Sequence, residues 1–333
     1  MRKIPLFNLD PEKRKVWIPL IEENTPVYKL DYLSKELGHP DLYVKREDMT
    51  CTSAYGGNKV RNLEFLLGDA INKNATTIIT MAPLGSNFVA ALSAQAERVC
   101  LKTKIYHFVP HENKQIEGHA RYSSLRKGVT LKIHKGCYPL SLLGAGISYS
   151  KQLLSFDKNT YRMPTGGSSY LGALGHLNSF LEMIEQVKNK EIPMPDSIIV
   201  GAGTCGTMAG LLAGKIISGA NIEIIGVRCV DKIICNRFNI NHLVTQILSQ
   251  FNKKNTLKNK EINIVENNFQ AYGKELVGSD KIIDVMKKKE NIDLDTTYTT
   301  KVVSYVTRFI DEKENKSKKI LYWHTYSPVA MRD

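Results

Sequence analysis

Short β-branched runs alternate with amphipathic stretches along this chain, and that alternation limits what it can fold into more than any other feature. The runs fall at residues 76–80 (Thr-Thr-Ile-Ile-Thr), 103–109 (Thr-Lys-Ile-Tyr-His-Phe-Val), 197–201 (Ser-Ile-Ile-Val-Gly) and 222–227 (Ile-Glu-Ile-Ile-Gly-Val). Between them apolar residues recur at helical spacing over 88–99, 171–187 and 207–217. Such alternation predicts an α/β fold of largely parallel sheets flanked by helices, because parallel strands need long crossovers and helices supply them. At 333 residues the chain is roughly twice a typical domain, so two lobes or one large α/β unit are expected. A last strand is expected at 320–323, after a charged turn at 311–319. Charged or proline-containing seams fall near 110–116 and 188–196, and 251–260 reads as an exposed loop or helix end.

The formal charge of +13 comes largely from lysines scattered through polar segments such as 251–260 and 286–289. No arginine stripe with interleaved aromatics accompanies them, so a solvated surface is expected and a nucleic-acid partner is not. A basic funnel would also suit an anionic cofactor and an amino-acid carboxylate. The six cysteines form no CxxC pair, so neither a metal site nor a disulfide framework is indicated. The start Met-Arg-Lys-Ile-Pro lacks the apolar core of a signal peptide, and no run approaches the roughly 18 apolar residues of a membrane span. A cytoplasmic location without membrane attachment is the expectation.

Four segments carry chemistry. In Tyr55-Gly56-Gly57-Asn58-Lys59-Val60-Arg61, two glycines precede a lysine, and Leu63, Phe65, Leu66, Leu67 and Ala70 follow at helical spacing. Glycine permits positive φ and close approach of a ligand to the backbone. The field at a helix N-terminus favours the neutral amine of Lys59, suiting it to attack an aldehyde. In Gly201-Ala202-Gly203-Thr204-Cys205-Gly206-Thr207, glycines between strand and helix let N–H groups converge on a phosphate. This segment also satisfies G-x-G-x-x-G, with Glu223 twenty residues beyond Gly203, so a dinucleotide site is a rival reading. Against it, Glu223 stands near the amino end of its strand, where a ribose-binding acid would not lie. In Leu84-Gly85-Ser86-Asn87-Phe88, a hydroxyl and a carboxamide at a helix start could cap that helix or bond a cofactor ring oxygen and a substrate carboxylate. Trp323-His324-Thr325-Tyr326-Ser327 ends an apolar strand in polar groups, where α/β ligand sites lie.

Taken together, these segments resemble the pyridoxal-phosphate enzymes of the D-cysteine desulfhydrase and 1-aminocyclopropane-1-carboxylate deaminase group, within the tryptophan-synthase-β-like fold. The resemblance runs nearly end to end. It includes Asn24-Thr25-Pro26-Val27, Val44-Lys45-Arg46-Glu47-Asp48, the stretch 56–65, Gly85-Ser86-Asn87, the stretch 166–175 beginning Gly166-Gly167-Ser168-Ser169, residues 203–207, Leu294-Asp295-Thr296-Thr297-Tyr298-Thr299-Thr300-Lys301 and His324-Thr325. It implies that Lys59 carries pyridoxal 5'-phosphate covalently, with Asn58 beside it. Asn87 then bonds the ring hydroxyl, and Gly203, Thr204, Cys205, Gly206 and Thr207 hold the phosphate. It further implies that Ser86 touches the substrate, and that Tyr298 and Tyr272 lie by the reacting carbons, Tyr272 in a looser sequence frame. Cys205 reads as a small packed residue and His324 as structural.

In that family, deaminases that open the cyclopropane ring carry a glutamate after the motif tyrosine and a leucine after the C-terminal histidine. Thr299 and Thr325 hold those positions here. A carboxylate makes the cofactor ring a strong electron sink and a hydroxyl does so poorly, so both threonines favour β-elimination over ring opening. Phe88 stands where many members have histidine, and Tyr326-Ser327 where desulfhydrases have two glycines; both departures bear on D-cysteine as the substrate. The resemblance implies a larger, cofactor-binding lobe of 1–54 plus 163–333 and a smaller one of 55–162. A small amino acid is the expected substrate and a homodimer the expected assembly. Ring-opening deaminase, β-replacement synthase, racemase and non-catalytic cofactor binder are the alternatives.

Overall fold

The computed structural model describes residues 2–51, 55–109, 114–155, 158–266 and 280–327, with 114–117 as backbone only. The strands are β1 (Val27–Lys29), β2 (Leu42–Arg46), β3 (Thr77–Pro83), β4 (Lys102–Phe108), β5 (Val129–His134), β6 (Thr160–Arg162), β7 (Ser197–Ala202), β8 (Glu223–Arg228), β9 (Asn263–Glu266) and β10 (Ile320–His324). The helices are α1 (Leu6–Leu9), α2 (Asp31–Glu36), α3 (Lys59–Asn72), α4 (Asn87–Arg98), α5 (Lys114–Ser124), α6 (Tyr138–Leu154), α7 (Tyr170–Lys188), α8 (Gly206–Ser218), α9 (Arg237–Ser249), α10 (Asp280–Lys289) and α11 (Thr299–Asp311).

Two sheets form. The larger has the order β1-β2-β10-β7-β8-β9 and the smaller β5-β4-β3-β6. All pairings are parallel except β1 with β2. Central β10 sets the register of the larger sheet, pairing Ile320 with Leu42 on one side and with Ser197 on the other. Every residue of β10 is buried, as expected for a parallel strand covered on both faces. One face of this sheet packs on α7, α8 and α9 through a core containing Leu177, Phe180, Met208 and Leu212. The other packs on α2, α10 and α11 through Leu33, Met286, Val302 and Val306. A separate core of Leu63, Leu67, Ile78, Ala90 and Ile105 joins α3 and α4 to the smaller sheet.

The α/β class and the strands expected at 76–80, 103–109, 197–201, 222–227 and 320–323 are present within a few residues of those positions. β2 escapes an apolar-run reading because it carries Lys45, which is fully buried. Its ammonium donates to Glu182 at 2.7 Å, Gln186 at 2.6 Å and the Thr25 carbonyl at 2.8 Å. Arg61 on α3 joins the same network, 2.8 Å from both Glu47 and Glu182. Two cations and two carboxylates thus neutralise one another inside the protein, the arrangement a buried charge requires. The Lys-Arg-Glu-Asp segment therefore helps to anchor α3.

α3 also meets α7 closely. A Cβ on Gly175 would lie 1.9 Å from the Arg61 carbonyl oxygen, so only glycine permits this approach. The outcome places the N-terminus of α3, the start of α4 and the N-terminus of α8 around the carboxyl ends of β3, β4, β7 and β10.

Candidate active site

A cavity of about 250 Å³ lies where these ends converge, lined among others by Asn58, Lys59, Ser86, Asn87, Thr204, Thr207, Tyr298 and Thr325. Gly201 and Gly203 reach it from the end of β7, Thr325 from β10, Pro83 from β3 and Phe108 from β4. This is where parallel α/β sheets place their ligands.

Lys59 is the first residue of α3, held by the turn before it. Gly57 has φ +87, a conformation that favours glycine, and a Cβ there would lie 3.0 Å from the Thr325 carbonyl. Thr50 donates to the Gly57 carbonyl at 2.9 Å, and the Asn58 N–H donates to the Thr325 carbonyl at 3.2 Å. Gly56 is needed for space, since a Cβ would sit 3.1 Å from the carbonyls of Asp48 and Cys51. The Lys59 ammonium donates to the Gly166 carbonyl at 3.4 Å. Burial lowers its pKa from the ordinary 10.5 to about 8, with the Cys205 sulfur pulling the other way. Desolvation is thus the leading cause of a shift expected from the helix terminus.

Opposite Lys59, β7 passes through Gly203-Thr204-Cys205 into α8. Cys205 takes a left-handed conformation with φ +72, the kind of backbone turn in which successive N–H groups can form an anion-binding nest. Its sulfur lies 3.4 Å from the Ile234 carbonyl. A hydrogen bond from Cys235 holds the Cys205 thiol below the usual range, whereas Cys235 itself is pushed up. Cys205 is buried, so it packs as expected. Thr204 accepts a hydrogen bond from Ser168 at 2.6 Å, and Thr207 accepts one from Asn58 Nδ2 at 2.9 Å. The cradle is tight: a Cβ on Gly203 would lie 3.0 Å from the Tyr298 ring, and one on Gly206 3.0 Å from Ser168 Oγ.

Ser86 precedes α4 at the capping position, yet its side chain makes no capping bond. The hydroxyl therefore is not spent on the helix. Asn87 accepts a hydrogen bond from the Tyr55 hydroxyl at 3.4 Å through Oδ1, which leaves its NH₂ group for the cavity. Phe88 is buried against Gly167, whose Cβ would lie 2.9 Å from the ring, so the departure from histidine is filled by packing.

Tyr298 precedes α11 and lies against Gly203. The structure does not bring Thr299 to the cavity. Its hydroxyl donates to Asp295 Oδ1 at 2.6 Å, and Asp295 also accepts from the backbone N–H groups of Tyr298 and Thr299. Thr299 thus helps to close the start of α11, and Thr325 alone of the two threonines lines the cavity. Tyr272 lies outside the described residues. His324 is buried with Nδ1 2.7 Å from the Tyr322 hydroxyl, and burial lowers its pKa. Glu223 opens β8 at the end remote from the cavity and contacts Ser197 and Lys318, so it does not serve a dinucleotide ribose. Sequence reasoning missed the wall formed by Phe108, Tyr138, Asp231 and Ile234. It also gave no role to His176, or to Asn62 although that residue lies within the 56–65 stretch.

A cavity that sets a half-buried lysine of lowered pKa against a glycine-rich helix N-terminus suits an enzyme using a phosphate-bearing carbonyl cofactor. The chain belongs to the pyridoxal-phosphate-dependent enzyme family, whose model matches residues 18–325. It is 30% identical over 310 residues to a Pyrococcus abyssi protein provisionally named 1-aminocyclopropane-1-carboxylate deaminase, covering 92% of this chain and 90% of that one. It is 30% identical over 337 residues to D-cysteine desulfhydrase of Salmonella typhi, covering 98% of each. The crystal structure of an ACC deaminase homologue matches it with a TM-score of 0.80 at 26% identity, covering 96% of this chain and 94% of that one. The residues present fit pyridoxal phosphate: a lysine of lowered pKa, a cradle that any Cβ would crowd, and an amide turned inward. Among the described residues, no helix is long and apolar enough to cross a membrane.

Proposed function

We propose that this chain is a pyridoxal-phosphate-dependent lyase that eliminates the β-substituent of a small amino acid, as a D-cysteine desulfhydrase does, yielding a keto acid and ammonia. The observation that carries the reading is the placement of Lys59, Ser86, Asn87, Tyr298 and the 203–207 cradle around one cavity. When bound, the cofactor supplies a carbonyl for the substrate amine and an electron sink for the α-carbon. In this reading Gly203, Thr204, Cys205, Gly206 and Thr207 bind its phosphate, Asn87 donates to its ring oxygen, and Asn58 braces Thr207. Lys59 holds it covalently and, once free, takes the α-proton; a pKa near 8 gives it a neutral fraction at physiological pH. Ser86 binds the substrate carboxylate, and Tyr298 gives a proton to the departing group. Thr325 offers a hydroxyl and no carboxylate to the ring, which supports elimination over cyclopropane opening.

Borohydride reduction followed by peptide mapping should place the cofactor on Lys59, and an adduct elsewhere removes the central claim. Keto-acid release should be seen with β-chloro-D-alanine, whose chloride leaves without acid assistance, and with D-cysteine. Turnover of 1-aminocyclopropane-1-carboxylate with none of β-chloro-D-alanine overturns the elimination reading in favour of ring opening. Activity on β-chloro-D-alanine without D-cysteine keeps the chemistry and rejects the thiol substrate.

The same proposal divides the chain into a lobe of 1–54 plus 163–333 and a lobe of 55–162, supported by the separation of β3–β6 from the other strands. It includes a cytoplasmic homodimer. Free thiols at all six cysteines support a reducing compartment. The exposed apolar ridge Leu140, Leu143 and Ile147 on α6 is surface that a second copy could cover. Sedimentation at twice the mass of one chain is expected.

A further inference from the structure

A hydrogen-bond chain of determined polarity runs from the turn before α7 into the cradle. It starts at the Gly167 carbonyl, which accepts from Asn62 Nδ2 at 3.2 Å. A carbonyl can only accept, so this contact orients the Asn62 amide and turns Oδ1 the other way. Oδ1 lies 2.8 Å from His176 Nε2. Two acceptors would repel at that separation, so His176 carries its proton on Nε2. Nδ1 of the same ring is buried without a partner among the described residues. Burial, with Lys59 and Arg61 nearby, holds the imidazole well below the usual histidine range, so the ring is neutral and Nε2–H is its one donor. Thr207 Oγ1 lies 3.3 Å from that same Nε2 and accepts from Asn58 Nδ2 at 2.9 Å. Nε2, protonated toward Asn62, and the Asn58 amide nitrogen both lack a lone pair, so the Thr207 hydroxyl finds no acceptor in either. Its proton is left the direction of the cavity, which Thr207 lines.

We propose that Asn62 and His176 are positioning residues that make the Thr207 hydroxyl an obligatory hydrogen-bond donor toward the phosphate held at 203–207. This rests on the reading of that segment as the cofactor phosphate site. Without the Asn62 oxygen, the imidazole could move its proton to Nδ1 and offer a lone pair at Nε2. The Thr207 proton would then turn inward and compete with the phosphate.

Nitrogen-15 NMR of histidine-labelled protein should show His176 as the Nε2–H tautomer in the wild type and as Nδ1–H in Asn62→Leu. Pyridoxal phosphate titrated into the apoproteins should bind Asn62→Leu roughly five- to tenfold more weakly than wild type, the effect of one hydrogen bond. Thr207→Val should lose a similar factor, and the double variant should be no weaker than Thr207→Val alone. The inference is overturned if wild-type His176 is Nδ1–H, a measurement that needs no variant to fold, or if the two losses multiply. If wild-type protein takes up no pyridoxal phosphate, the reading of the site falls and the inference with it. Uptake by the wild type with multiplying losses sinks the inference alone.

Discussion

At Lys59, desolvation moves a lysine toward its neutral form. An amine attacks a carbonyl only when neutral, and burial brings that form within reach by lowering the pKa from 10.5 to about 8. Covalent cofactor uptake by the apoprotein should therefore speed up as pH rises and be half-maximal near pH 8; a midpoint near 10.5 in stopped-flow absorbance would show that the lysine is not desolvated. Asn87 makes a second test at this scale. Its amide is aimed at the cavity and Ser86, not Asn87, holds the capping position of α4. Asn87→Ala should weaken pyridoxal phosphate binding by about 1–3 kcal/mol with little change in thermal stability. A fall in melting temperature with unchanged cofactor affinity would assign Asn87 to the helix alone.

At the scale of elements, the site depends on how α3 is held. Its contact with α7 admits only glycine at 175, so Gly175→Ala should destabilise the fold by at least about 1–3 kcal/mol through overpacking, measurable as a lower urea midpoint. The ion network beneath α3 is equally unforgiving. Arg61→Leu leaves Glu47 and Glu182 sharing Lys45, and about 3–5 kcal/mol of stability should be lost. Burial raises both carboxyls, but Arg61 and Lys45 outweigh it and hold them below the ordinary 4.5. Their contribution is therefore complete above pH 4.5 and is lost as pH falls through their lower folded-state values. Acid unfolding should begin at higher pH in Arg61→Leu than in wild type. These contacts also explain what sequence pattern could reveal. β7 and β10 are legible because both faces are covered and their residues are nearly all apolar. β2 is not, because Lys45 interrupts its pattern and its charge is neutralised by Glu182 on α7, more than a hundred positions away. The edge strand β5 is half-exposed and carries too little apolar signal.

For the whole molecule, the cavity is bounded by the ends of strands from both sheets, so a bound cofactor should couple their stabilities. Pyridoxal phosphate at a hundredfold excess over its dissociation constant should add about 2.7 kcal/mol, and its removal should lower the melting temperature by a few degrees. A melting temperature indifferent to the cofactor would place it outside this cavity. The alternation of strands and helices determined by itself the α/β class, and the local motifs at Lys59, Ser86-Asn87 and 203–207 picked out residues that line one cavity. They could do so because glycine turns, helix starts and apolar periodicity are properties of neighbouring residues. Only the tertiary structure decided that Thr325 faces the cavity while Thr299 is tied to Asp295. It alone decided that Ser86 is free of its helix, and that Asn62, His176 and Thr207 form one chain. Those three residues belong to α3, α7 and α8, and the direction of their hydrogen bonds exists only once the helices pack and a single carbonyl, that of Gly167, sets the first donor.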